Sequence, residues 1–144
     1  MENFPEVEKA TEWQDHAIDF IADFEGFQEC AYWDFKQWSI WYWTASRQWE
    51  CITREEAKKR KKEHLHSIFE LVDIACYSDH QKIAMTSYVY NTGGYQLGLR
   101  GIIHRCDTAW VLRIMRNWGW SANWRVLSWL AKRRNIEINK FNSQ

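Results

Sequence analysis

Apolar residues recur at three- and four-residue steps along almost all of this chain, and the helical period breaks once, between Gln28 and about Cys51. That pattern confines the chain to helices packed on a common core, with room for one small patch of sheet. Trp13, Ala17, Phe20, Ile21 and Phe24 mark one face of a helix over about 7–24, and Gly26, just after Glu25, supplies its stop. Within the break, Ala31-Tyr32-Trp33 and Trp38-Ser39-Ile40-Trp41-Tyr42 are short aromatic and β-branched runs. They predict a β-hairpin or a three-stranded sheet.

Helix starts then follow one another. In Thr53-Arg54-Glu55-Glu56 the threonine can accept from the Glu56 N–H while Glu56 reaches back, a capping box. It opens a helix through about Val72 with Ala57, Leu65, Ile68, Phe69 and Val72 on its inner side. Ser78-Asp79-His80-Gln81 opens another, carrying Ile83, Met85, Tyr88 and Val89, and Asn91-Thr92-Gly93-Gly94 must end it. Three shorter helices are expected over about 95–105, 108–117 and 125–139. A helix, a small sheet and then a helical lobe is an α+β order.

The 144 residues fit one domain, 1–144, with a small lobe at about 26–52 and a helical lobe at about 53–144 plus the helix 7–24. Lys+Arg and Asp+Glu both number 19, and this zero net charge argues against a nucleic-acid partner. No apolar run approaches a membrane span, so no stable membrane insertion is expected. The opening residues are acidic and lack a signal-peptide core, which predicts a soluble domain made in a cytoplasm. Cys30, Cys51, Cys76 and Cys106 form no C-x-x-C pair, and the histidines show no metal spacing with them. Free buried thiols are therefore the expectation, with no metal site.

Glu25 falls where the first helix ends, and Asp34 lies nine positions on, within the expected sheet. A carboxyl at a helix end and one on a neighbouring strand could face each other across a cleft. Glycosidases need such a pair: one protonates the leaving oxygen, the other activates water or attacks carbon. With 19 acidic residues in the chain, spacing alone does not single these two out.

The surrounding residues do. Phe24-Glu25-Gly26-Phe27, Ala31-Tyr32-Trp33-Asp34 and Trp38-Ser39-Ile40-x-Tyr42-x-Thr44 together resemble the active-site region of phage-type lysozymes, the endolysins of glycoside hydrolase family twenty-four. The resemblance continues through Ile52-Thr53-Arg54-Glu55-Glu56-Ala57 and Ala84-x-x-Ser87-Tyr88-Val89-Tyr90-Asn91-Thr92-Gly93. It ends at Leu130-Ala131-Lys132-Arg133-Arg134-x-x-Glu137, so the blocks run in order over about 20–141. It implies a lysozyme-like α+β fold: an N-terminal helix and small antiparallel sheet lobe, joined by a long helix to a mainly helical C-terminal lobe.

It also implies a muramidase that hydrolyses the β-1,4 bond between N-acetylmuramic acid and N-acetylglucosamine in peptidoglycan. Glu25 stands in the place of the general acid, Asp34 in that of its acidic partner, and Ser39 where the family helps hold the attacking water. The chemistry asks that Glu25 be raised in pKa by partial burial while Asp34 stays ionised. Tyr32, Tyr42, Asn91 and Gly93 are the expected substrate contacts. The resemblance further implies no cofactor, action as a monomer, and residence in the host cytoplasm until lysis, then at the periplasm and wall. A lytic transglycosylase, needing the acid but not Asp34, and a non-catalytic wall-binding protein are the alternative readings.

Two features stand beside that resemblance. Lys58-Lys59-Arg60-Lys61-Lys62 reads either as a solvated helix face or as an attraction to the anionic wall. The chain also holds 11 Trp against 6 Gly. Trp41, Trp43, Trp49, Trp124 and Trp129 fall where the family pattern has glycine, at positions where a tryptophan cannot supply positive φ or close backbone approach. Either a UGA codon read as glycine has been translated as tryptophan, or the rings are platforms that stack on sugars.

Overall fold

The computed structural model describes residues 5–26, 32–34, 37–40, 44–45, 50–93, 98–116 and 128–143, with side chains over 12–26, 50–93, 98–116 and 129–143. In chain order the described elements are α1 (Pro5–Glu25), β1 (Tyr32–Asp34), β2 (Gln37–Ile40), β3 (Thr44–Ala45), α2 (Arg54–His64), α3 (His66–Val72), α4 (Asp79–Thr92), α5 (Leu99–His104), α6 (Thr108–Arg116) and α7 (Ser128–Asn142). The chain is mostly helical. It divides into two compact units, 1–66 and 67–144.

In the first unit α1 buries Trp13, Ala17, Ile18 and Ile21, while Phe20 and Phe24 meet edge to face with centroids 5.3 Å apart. Its stop is the expected one: Gly26 has φ +73° and its N–H reaches the Ala22 carbonyl at 2.8 Å. The three strands form one antiparallel ribbon in the order β1-β2-β3, pairing Tyr32 with Ser39, Asp34 with Gln37 and Ile40 with Thr44. α2 packs on α1, with Ala57 and Lys61 buried.

Lysines and aspartates lie along that α1–α2 contact. Lys58 Nζ stands 3.0 Å from Asp19 and Lys62 Nζ 3.7 Å from Asp15. On each helix the pair is four residues apart, one turn, and the pairing runs 58 to 19 and 62 to 15, so the two helices are antiparallel. Arg60 pairs with both Glu50 and Glu56. The basic run is therefore not an open cationic face: three of its members are answered by carboxylates and a fourth, Lys61, is buried.

The second unit is built around α4, which packs along α7. Ile83, Ala84, Met85, Tyr88 and Val89 of α4 are buried, as are Leu99, Ile102 and Ile103 of α5, Val111, Ile114 and Met115 of α6, and Phe141 of α7. The Ser78 capping box is complete: its hydroxyl accepts from the Gln81 N–H at 3.2 Å and the Gln81 side chain returns to the Ser78 N–H at 3.0 Å. At Thr53 only the first half forms, at 3.2 Å, with the Glu56 carboxylate turned to Arg60 instead.

Two expectations are corrected. The single helix from Thr53 to Val72 is two helices interrupted at Leu65, whose φ −87° and ψ 0° lie at the edge of the right-handed helical region. The thiols are not free: Cys76 and Cys106 form a disulfide with Cα atoms 6.1 Å apart, and Cys51 is disulfide-bonded as well. Scattered cysteines look alike in sequence whether paired or not, because pairing depends on Cα atoms that the fold brings together. Cys106 has φ +57°, the sole positive φ on a non-glycine among the described residues, and sits just beyond α5 where a helix end usually takes glycine. Tyr77, beside Cys76, is buried and donates its hydroxyl to the Ile103 carbonyl at 2.7 Å, tying together the same two segments.

Candidate active site

Glu25 is the last residue of α1, and the turn at Gly26 follows from the absence of a Cβ there. Its side chain is half-buried. The helix thus delivers one carboxyl at its C-terminal tip, within the first unit. The same unit holds Asp34 as the last residue of β1, with the two-residue connection to β2 beginning right after it. Ser39 sits on β2 opposite Tyr32. The backbone therefore puts Tyr32, Asp34 and Ser39 within one two-stranded register. Their side chains, and the whole of Tyr42, lie outside the described residues.

A surface cavity of about 370 Å³ is lined by Asp19, Ala22 and Asp23 of α1 and by Arg54, Glu55 and Lys58 of α2, and Glu25 is not in its lining. Its lining is charged in both signs, and Lys58 and Asp19 are already paired across it. It is a charged seam between α1 and α2.

In the second unit Asn91 lies in the last turn of α4 and Gly93 caps it at φ +77°. Asn91 is held by a largely buried polar cluster that reaches across to α7. Arg133 and Arg134, adjacent in sequence, are both buried, and both bond to Glu137, which is fully buried. Ser87 on α4 donates to Glu137 at 2.5 Å and Arg133 reaches the Ser87 carbonyl at 3.4 Å. Arg134 donates to Asn91 Oδ1 at 2.6 Å and lies 4.7 Å over the Tyr88 ring.

Burial pushes the Glu137 carboxyl above its ordinary pKa, and Arg134, Ser87 and Arg133 pull it back. The same burial pushes the Tyr88 phenol well up, so the ring that faces Arg134 is neutral. Sequence spacing shows the Arg133–Glu137 pair, four apart on one helix. Ser87 and Tyr88 stand in the motif block quoted above, but their partners on α7 come only from the packing of α4 on α7. Among the described residues no group of three His, Cys, Asp or Glu could hold a metal, and no helix is long and apolar enough to cross a membrane.

Comparison with known proteins adds an independent line. The family model described as phage lysozyme matches residues 22–137, a stretch that contains Glu25, Asp34, Ser39, Asn91 and Glu137. No curated protein sequence matches the chain. Among solved structures, it is similar to the muramidase domain of SpmX from Asticaccaulis excentricus, at 24% identity and a TM-score of 0.73 over 90% of this chain and 96% of that one. It is also similar to the endolysin from Escherichia coli O157:H7 phage FAHEc1, at 19% identity and a TM-score of 0.71 over 88% and 90% of the two chains. A P22 lysozyme variant matches at 18% identity and a TM-score of 0.73 over 89% and 96%. At these identities the structural matches establish the fold, which is lysozyme-like.

Proposed function

The chain belongs to the phage lysozyme family, a family of muramidases, and from that premise we propose that it hydrolyses the β-1,4 bond between N-acetylmuramic acid and N-acetylglucosamine in peptidoglycan. The observation that carries the reading is the family match over 22–137, which spans every block of sequence in which the proposed site residues stand. In this reading Glu25, presented at the tip of α1, protonates the leaving oxygen. Asp34 acts on the opposite side of the sugar ring as the base for an attacking water, and Ser39 helps to hold that water. Tyr32, Tyr42, Asn91 and Gly93 contact the glycan. Inversion at the anomeric carbon goes with this division of labour, since a water must fit between the two carboxyl groups.

The biological role we assign is that of an endolysin, which stays in the host cytoplasm until lysis and then acts on the wall, releasing phage. The Cys76–Cys106 disulfide supports a working life outside a reducing cytoplasm. The reaction needs no cofactor, and the reading takes the protein to act as a monomer.

The test is release of soluble sugar fragments from purified sacculi by the wild type and by Glu25→Gln. Losing the proton donor should cut the rate by at least 10²-fold with the thermal midpoint retained. Equal clearance by both proteins overturns the assignment of Glu25. Anhydro-sugar ends on the fragments would select a transglycosylase, and binding without release by the wild type would select a wall-binding protein.

A further inference from the structure

Arginine can only donate hydrogen bonds, so the Asn91 atom that faces Arg134 at 2.6 Å is the carbonyl Oδ1 and the amide nitrogen points away from it. The guanidinium cannot readily swing aside. It is bonded to Glu137, lies over the Tyr88 ring, and its side chain is 4% exposed. The Arg134 contact accounts for the bonding of the Asn91 side chain among the described residues. The Tyr88 hydroxyl is the one buried side-chain polar atom without a partner among the described residues, and Asn91 Nδ2 is not such an atom. Asn91 itself is half-buried in the closing turn of α4, two residues before the chain turns out of the helix at Gly93.

We propose that Arg134 is a positioning residue, which locks the Asn91 amide with its NH2 group outward as a donor-only contact for an acyl oxygen of the bound wall polymer. The inference rests on the muramidase reading for the identity of that polymer. An acyl oxygen carries lone pairs and no proton, so it meets a fixed NH2 group without any rearrangement, while an ammonium group is refused. Without Arg134 the amide would rotate freely, and half its orientations would present an acceptor. In the wall the acyl oxygen has two sources, the acetamido groups of the sugars and the carbonyl or carboxylate groups of the stem peptides.

The test is Asn91→Asp, which keeps the size of the side chain and its bond to Arg134 but turns the outward group from donor to acceptor. Binding to purified sacculi is measured by co-sedimentation in a Glu25→Gln background, where cleavage does not interfere. The half-saturation concentration should rise about tenfold, the loss of one hydrogen bond, with an unchanged thermal midpoint. In cleavage assays on the otherwise wild-type chain the loss should fall on KM rather than kcat.

Arg134→Lys keeps the charge and loses the fork, so it should weaken binding less, and the effect of Asn91→Asp should shrink in the double variant. If Arg134→Lys does not fold, Asn91→Asp decides alone. Wild-type affinity in Asn91→Asp overturns the proposal. Repeating the comparison on de-N-acetylated sacculi and on sacculi stripped of stem peptides distinguishes the sources: the difference vanishes on whichever lacks the acyl group, and persistence on both overturns the proposal. Weakened binding by Asn91→Asp with no cleavage by the wild type would sink the muramidase reading and leave this one standing. Cleavage with no Asn91 effect would do the reverse.

Discussion

Glu137 is out of contact with water and answers two guanidiniums at once, while Ser87 donates to it from α4. Removing its charge in Glu137→Gln leaves Arg133 and Arg134 buried without that anion, which costs about 3–5 kcal/mol by analogy with other broken buried pairs. Calorimetry should show a midpoint lower by on the order of 10 °C for a chain of this size. The adjacent arginines and the glutamate were legible as a motif, but Ser87 is 50 positions away and becomes a partner only once α4 lies on α7. The tryptophans divide differently. Trp41, Trp43, Trp49 and Trp124 lie outside the described residues. Trp129 is in the first turn of α7, without a positive φ, and is 60% exposed. The steric case for glycine is absent at that position, so Trp129→Gly alone should leave stability unchanged or lower it by up to about 1 kcal/mol, the cost of glycine in a helix, as read by thermal denaturation. The intact mass of protein from its natural host decides the coding question for all five, since each glycine in place of tryptophan lightens the chain by a fixed amount.

The helices as units show where sequence rules carry and where they stop. Caps at Ser78, Gly26 and Gly93 form as local chemistry dictates, because each involves neighbours within a few residues. The interruption at Leu65 breaks no local rule, since leucine is a good helix former, and it is fully buried there. Asp15 and Asp19, like Lys58 and Lys62, show a four-residue spacing in sequence, yet their pairing across α1 and α2 is tertiary. These ion pairs are about half-exposed and are worth about 0–1 kcal/mol each. Asp15→Asn with Asp19→Asn should therefore lower stability by no more than about 2 kcal/mol in dilute buffer. The deficit should largely vanish at about 1 M salt, where the screening length is roughly 3 Å. Denaturant titrations at two salt concentrations measure it, and a deficit that ignores salt would contradict the pairing.

For the whole molecule, the order of the motifs was enough to indicate the lysozyme-like fold, because each block keeps its place along the chain. The covalent framework was not legible. Cys76 and Cys106 are separated by 30 residues, and a bridge closing a loop of that length contributes roughly 3–4 kcal/mol in the chain-entropy picture. Cys76→Ser with Cys106→Ser should lose about that much in an oxidising buffer, and adding a thiol reductant to the wild type should reproduce much of the loss. Of the candidate site, Glu25, Asp34 and Ser39 were legible through the motifs that contain them, and the structure adds the helix tip and strand register that carry them. The cluster behind Asn91 was only half legible, since packing supplies Ser87 and Tyr88. The seam between α1 and α2 has one more bearing. A chain of zero net charge can still possess strong opposed poles, but here positive and negative groups meet within 3.0–3.7 Å along a shared helix contact. Fields from such close dipoles decay steeply, so a polyanionic envelope exerts little pull on this part of the surface from afar. Arrival at the wall then resembles unguided diffusion, and its rate constant should change little between dilute buffer and physiological ionic strength.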